Sequence, residues 1–145
     1  MSVTHFRELD VWRVSMELAR CTYEITGKFP RDERYGLAAQ MQRAAVSVPS
    51  NIAEGNGRNS RREYIRFLSI ASGSIAELQT QIQLACELGL TDKSRIVNAQ
   101  DLAERVGQVL YRLQQSLGRN LRDGSRVPGP GSRFEEQFGG ADTHA

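Results

Sequence analysis

Apolar residues recur every three or four positions in four separate segments of the chain, which is the spacing of one face of a helix. The segments cover residues 10–26, 32–55, 60–88 and 91–118. Short turns connect them, and no segment shows the sustained alternation that is typical of a β-strand. The pattern predicts an all-α protein that folds as an antiparallel up-down-up-down four-helix bundle.

Residues that favour helix ends stand at the boundaries of these segments. The predicted N-caps of the four helices are, in chain order, Asp10, Asp32, Ser60 and Thr91. Ser60 is followed three residues later by Glu63, which is the spacing of a capping box. Gly118 and Asn120 predict the end of the fourth helix.

Pro49 lies inside the second helical segment. The apolar stripe of this segment continues through it without a change of phase, at Leu37, Met41, Ala45, Val48 and Ile52. A proline inside a helix removes one backbone hydrogen bond and costs about 3 kcal/mol or more. The unbroken stripe nevertheless predicts one continuous helix that is kinked at Pro49.

Small and polar residues surround this kink and predict close packing. Gly55 and Gly57 follow the kink and are expected to close the second helix. Gly73 lies in the tract "ASGS" of the third helix, and we expect this tract to face "AAVSVPS" at close range. Asn51 and Glu54 admit two interpretations, a catalytic pair or hydrogen-bonding groups that hold the bent helix and its turn. We favour the structural role, because no third group completes a catalytic site.

The third helix has an unusually broad apolar face. Its apolar positions cover an arc of roughly 160°, and they are Phe67, Leu68, Ile70, Ala71, Ile75, Leu78, Ile82, Ala85 and Leu88. A helix that packs against one core needs a narrower stripe. The excess predicts a second buried contact, such as another subunit.

The last part of the chain differs in composition from the rest. Residues 121–145 are rich in Gly and Pro and lack periodicity, which predicts a flexible C-terminal tail beside a bundle domain of residues 1–120. Phe134 and Phe138 are four residues apart in this tail, the spacing that would permit docking on another surface.

Basic residues are concentrated in two places. The formal net charge is +2, but residues 1–122 hold 17 Lys and Arg against 13 Asp and Glu, a net of +4. The first concentration surrounds the turn between the second and third helices and comprises Arg58, Arg61, Arg62 and Arg66. The second recurs every seven residues along one side of the fourth helix, at Arg105, Arg112 and Arg119. Both are candidate nucleic-acid contacts, although charged stretches are also common on solvated helix faces.

The residues that support catalysis or metal binding are scarce. His5 and His144 lie near opposite ends of the chain, and Cys21 and Cys86 both fall within helical patterns. We therefore expect no catalytic site, no metal site and no cofactor. No run of about 18 apolar residues indicates a membrane span, and the first ten residues lack the apolar core of a signal peptide. The expected location is the cytoplasm.

The strings "SVPSNIAEG" and "FLSIASGSIAEL", together with the opening "FRELDVW", resemble a bacterial four-helix bundle family. This family was first noticed as products of intervening sequences in 23S rRNA genes. The resemblance extends over residues 6–118, and the family is close to the accessory variability proteins of diversity-generating retroelements. It implies a homopentamer whose basic surface binds nucleic acid and a reverse transcriptase. The resemblance supplies no catalytic residue.

Two functions compete on these grounds. In the first, the protein is a non-enzymatic oligomer and a weak nucleic-acid-binding accessory factor that contacts RNA or DNA through the arginines. In the second, it is a protein-binding scaffold or adaptor. The distribution of arginines favours the first.

Overall fold

A computed structural model describes residues 5–125 of the chain. Four α-helices account for most of this range: α1 (Asp10–Thr26), α2 (Leu37–Asn56), α3 (Arg61–Glu87) and α4 (Lys93–Ser125). Two short 3-10 helices, Phe6–Glu8 and Arg31–Glu33, precede α1 and α2. The described residues contain no strand, so the prediction of an all-α protein with four helices is confirmed.

The four helices enclose a single apolar core. Each helix packs against the next along the chain, and α1 packs against α4, whereas within residues 5–125 no Cα atom of α1 lies within 8 Å of one in α3, nor one of α2 within 8 Å of one in α4. The largest fully buried side chains come from all four helices and include Leu18, Met41, Ile52, Leu68, Leu78, Ile82, Ile96 and Leu110. Burial of these side chains is the main stabilising contribution, at about 1.5–3 kcal/mol for each large apolar residue.

The predicted helix starts are only partly correct. The Ser60 hydroxyl accepts a hydrogen bond from the backbone N–H of Glu63 at 3.4 Å, so this cap is confirmed. Asp92, and not Thr91, caps α4, because its carboxylate accepts the Arg95 N–H at 3.0 Å. The carboxylate also accepts the Ser94 hydroxyl, and these bonds lower the pKa of Asp92, with the Ser94 bond the larger cause.

The start of α2 lies later than the sequence pattern predicts. Asp32 falls within the 3-10 helix Arg31–Glu33, and α2 begins at Leu37 after Gly36. Asp10 is likewise the first residue of α1, with Leu9 in the N-cap position. A side-chain acceptor near a helix start is therefore not sufficient to locate the cap in this chain.

The end of α4 also differs from the prediction. The helix continues through Gly118 and Asn120 as far as Ser125. Leu113 and Leu117 pack against the core on the turns before Gly118, and this packing offsets the cost of about 1 kcal/mol for a glycine inside a helix. The rest of the predicted tail, residues 126–145, lies outside the described residues.

The helix α2 continues through Pro49, which is buried, as the unbroken apolar stripe predicts. Asn51 Nδ2 donates to the Ser47 carbonyl oxygen at 2.7 Å and to Ser47 Oγ at 2.9 Å. Ser47 Oγ and Ser74 Oγ are in turn 2.8 Å apart, so the polar groups next to Pro49 connect α2 to α3. These bonds give Asn51 a structural role.

The glycine that permits close helix packing is Gly55, and the prediction for Gly73 is wrong. A Cβ placed on Gly55 would lie 2.8 Å from Phe67 Cβ and 2.9 Å from Tyr64 Cδ2 of α3. Gly73 is exposed, and a Cβ placed there would meet nothing within 4 Å. The neighbouring Ser74, which is buried, makes the contact with α2.

Substitution of these two glycines should have opposite effects on stability. We expect Gly55→Ala to lower the free energy of unfolding by about 1–3 kcal/mol, because the added methyl group overpacks the α2–α3 contact. Gly73→Ala should raise it by about 0.4–1 kcal/mol, because alanine restricts the unfolded chain and meets no obstacle. Urea denaturation followed by circular dichroism measures both. Equal midpoints for the two variants would contradict the assigned packing.

Candidate nucleic-acid interface

The turn between α2 and α3 positions the first group of arginines. The Gly57 N–H donates to the Ala53 carbonyl at 3.2 Å and the Arg58 N–H donates to the Gly55 carbonyl at 3.1 Å, which ends α2 in a tight turn. Ser60 then caps α3. The result brings Arg58, from the turn, beside the first two helical turns of α3.

Phe67 organises two of the four arginines of this turn. The guanidinium carbon of Arg58 lies 5.0 Å from the centre of the Phe67 ring, and that of Arg66 lies 5.7 Å from it. Cation–π contacts of this kind contribute about 0.5–1 kcal/mol each at exposed sites. They reduce the freedom of two long side chains and hold both guanidinium groups beside the Phe67 ring.

Arg61 and Arg62 are exposed in the first turn of α3. The positive end of the helix dipole lies here and adds to the charge of the side chains. We call Arg58, Arg61, Arg62 and Arg66 the turn patch. Within residues 58–66, Glu63 is the one acidic residue against these four arginines.

Arg58 of the turn patch forms a weak ion pair with Glu54. Arg58 Nη2 and Glu54 Oε1 are 3.8 Å apart, and their side chains are 45% and 58% exposed. An exposed pair at this distance contributes little, and salt screens it. Glu54 therefore pairs with Arg58 of the turn, whereas Asn51 donates to Ser47. These contacts do not join Glu54 and Asn51 into a catalytic pair.

The second group of arginines lies on a different edge of the molecule. Arg105, Arg112 and Arg119, the α4 stripe, are all exposed. Asn98 stands seven residues before Arg105, hence on the same line along α4, and its Nδ2 donates to Cys21 Sγ of α1 at 3.4 Å. The α4 stripe therefore follows the edge between α4 and α1, and the structure does not bring it together with the turn patch on α2 and α3.

Carboxylates reduce the positive charge at the α1–α4 edge. The pKa of the Cys21 thiol is raised, first by burial and then by the negative charges of Glu24 and Glu17. Around the turn patch, four arginines stand against two carboxylates, Glu54 and Glu63. The turn patch is therefore the stronger candidate for an anion.

Sequence reasoning missed the part played by Phe67. The sequence pattern assigned Phe67 only to the apolar face of the third helix and gave it no contact with the arginines. Phe67 is half-buried, so its side chain serves both the packing against Gly55 and the support of the guanidinium groups. The available signal was its position directly after Arg66 and nine residues after Arg58.

Residues 5–125 lack two further features, a metal-binding cluster and a membrane-spanning helix. That part of the chain has no group of three or more His, Cys, Asp and Glu side chains placed to hold a metal ion. Cys21 and Cys86 are both free thiols. None of the helices in the described range is long and apolar enough to cross a membrane.

The fold and the turn patch define a helical protein with an arginine-rich surface. A family model described as the 23S rRNA-intervening sequence protein matches residues 7–112. This match covers more than half of the 145 residues, and the chain belongs to that family. A search among curated proteins found no match.

Proposed function

We propose that the protein is a non-enzymatic, oligomeric accessory factor of the cytoplasm that binds RNA or DNA weakly through the turn patch. The observation that supports this proposal most directly is the packing of Arg58 and Arg66 on Phe67. It orders two guanidinium groups beside two further exposed arginines at the positive end of α3.

The arrangement of helices that we propose is an antiparallel up-down-up-down bundle with a kink in α2 at Pro49. Ser47 contacts Ser74, whereas Gly55, further along α2, approaches Tyr64, which is earlier in α3. The same reversal supports antiparallel packing of α3 and α4. There Ile75 lies near Gly107, and Ser72 accepts a hydrogen bond from Gln114. A kink is favoured because Pro49 has no N–H for the Ala45 carbonyl and its ring crowds that oxygen.

Phosphate groups are the chemistry that the turn patch suits best. Each guanidinium presents a planar set of donors that matches two phosphate oxygens. The Phe67 ring lies near two guanidinium groups and is half-buried, so it offers little surface to a base. Binding through phosphates carries little sequence information. The protein should accordingly bind nucleic acids with little preference for their sequence.

Oligomer formation is supported by apolar side chains at the other end of α3. Leu84 and Leu88 are 42% and 59% exposed and lie one helical turn apart, and we call them the apolar strip. They are too far along α3 to contact the turn patch. A ring of subunits, with five copies as the family resemblance implies, would cover the apolar strip and repeat the turn patch on every copy. Repetition strengthens a weak contact when one strand reaches several subunits.

Charge reversal in the turn patch should weaken nucleic-acid binding. Arg61→Glu with Arg62→Glu removes two exposed charges that do not pack on Phe67, and we expect the affinity for labelled duplex DNA and structured RNA to fall about tenfold or more at low salt. Fluorescence anisotropy at low and at physiological salt measures the effect, and the wild-type affinity should decline steeply as salt rises.

Two matched variants separate charge from position. Arg61→Lys with Arg62→Lys preserves the charge and should retain most of the affinity. Arg112→Glu with Arg119→Glu reverses the same charge on the α4 stripe and should cost less, about two- to threefold. Absence of micromolar binding at low salt by the wild-type protein would sink the proposal, and so would an undiminished affinity in the Arg61 and Arg62 reversal.

Disruption of the apolar strip should dissociate the oligomer. Light scattering after size exclusion should give about five times the chain mass of 16.2 kDa for the wild type. Leu84→Glu with Leu88→Glu should give the mass of one chain, because buried unpaired carboxylates are strongly unfavourable. Val97→Glu changes a comparably exposed side chain on α4 and serves as the control. A wild-type protein that elutes as a monomer would contradict the prediction.

The second candidate function is a scaffold or adaptor that binds another protein. The exposed apolar strip and Tyr35, which is 88% exposed just before α2, favour this alternative because apolar patches mark protein contacts. A reverse transcriptase is the partner that the resemblance to retroelement accessory proteins implies. Adaptor function becomes the better proposal if the oligomer forms but nucleic acid does not bind.

A further inference from the structure

The face of α3 beside the turn patch combines apolar surface with positive charge. Phe67 is half-buried and Ile70, one turn further along the same side of the helix, is 43% exposed. Arg58 and Arg66 flank Phe67, and Arg62 precedes Arg66 by one turn. We call these five residues the Phe67 face. Its chemistry suits a short segment that carries both apolar and acidic side chains.

Such a segment exists in the chain beyond the described residues. Phe134 and Phe138 are separated by Glu135, Glu136 and Gln137. Phenylalanines four residues apart have the spacing that places side chains on one side of a helical turn. Two carboxylates between them complement the arginines of the Phe67 face, since guanidinium and carboxylate form strong paired hydrogen bonds.

The C-terminal end of α4 lies at the same end of the molecule as the start of α3, where the Phe67 face is. Gln114 Nε2 of α4 donates to Ser72 Oγ of α3 at 2.9 Å. From that contact, α4 advances eleven residues to Ser125, and α3 reaches back eleven residues to Arg61. Both stretches measure about 16 Å at about 1.5 Å per residue, so in the antiparallel arrangement Ser125 ends level with the start of α3.

The remaining distance is short for the chain that must span it. Eight residues lie between Ser125 and Phe134, and an extended chain reaches about 30 Å over the nine Cα–Cα steps that join them. Neighbouring helix axes lie only about 8–10 Å apart. The segment can therefore cross from α4 over the end of α3 to the Phe67 face of the same chain.

We propose that residues 134–138 dock on the Phe67 face of the same chain, with the phenylalanines against the exposed Ile70 and the part of the Phe67 ring that is not buried, and with the glutamates against the flanking arginines. The docked segment occupies guanidinium groups that would otherwise bind phosphate. It is therefore an internal competitor of nucleic acid, and this second statement depends on the proposed function of the turn patch.

The docking is tested in the full-length protein with a photoreactive side chain. p-Benzoylphenylalanine in place of Phe138 should crosslink, on irradiation, to residues 58–70, as mapped by proteolysis and mass spectrometry. Arg62→Glu with Arg66→Glu should lower the crosslink yield about fivefold or more, because the glutamates of the segment lose their partners. Arg112→Glu with Arg119→Glu, an equal charge change on the α4 stripe, should leave the yield unchanged.

A crosslink that maps outside residues 58–70, or a yield that is indifferent to reversal of Arg62 and Arg66, overturns the docking. The competition has its own readout: Phe134→Ala with Phe138→Ala should raise the affinity for labelled RNA about three- to tenfold, whereas Val127→Ala should not. An unchanged affinity alongside a mapped crosslink overturns the competition alone. If RNA does not bind any variant, the proposed function fails, and the crosslink map still decides the docking.

Discussion

The contact between Gly55 and the first turns of α3 determines where the arginines of the turn patch lie. Any larger residue at this position would push its Cβ to within 3 Å of both Tyr64 and Phe67. Glycine therefore allows α3 to start close against the end of α2. Phe67 is held in place by that approach, and two guanidinium groups pack around its ring. The positions of these surface arginines thus depend on a buried residue, Gly55, that has no side chain.

Polar contacts beside Pro49 also connect α2 to α3, through hydrogen bonds instead of close backbone packing. A buried proline in the middle of α2 costs about 3 kcal/mol or more, because one carbonyl loses its donor. Ser47, Asn51 and Ser74 form a connected set of hydrogen bonds at the same level of the bundle. Each neutral bond contributes only about 0.5–1.5 kcal/mol, so apolar burial must supply the rest. The bonds chiefly fix how α2 and α3 are aligned.

Much of the fold could be predicted from apolar periodicity, because that pattern reflects burial directly. The bounds of α1 agree with the predicted residues 10–26 at both ends, and α2 continues through Pro49 as its stripe indicates. The errors concern features that the stripe does not encode. Asp32 resembles a cap in sequence, but a 3-10 turn intervenes before α2, and Asp92 competes successfully with Thr91 for the start of α4.

The candidate site was less predictable from the sequence than the fold. The wrong prediction for Gly73, however, was avoidable. Gly73 is two residues from both Ala71 and Ile75, which are buried, and so lies about 200° around the helix from each. Its phase alone indicates an exposed position. The support that Phe67 gives to Arg58 could not be predicted in this way, because it depends on the path of a turn and on the separation of two helices.

The short connection between α2 and α3 has a consequence for the order in which the chain assembles. Only residues 57–60 separate the two helices, and Ser47 and Ser74 are 27 residues apart, whereas the contact between Cys21 and Asn98 closes a separation of 77 residues. Short loops cost less entropy to close, and local contacts form faster. We therefore expect α2 and α3 to pair before α1 meets α4. A chain still emerging during synthesis would already display the arginines of its turn before α1 and α4 meet.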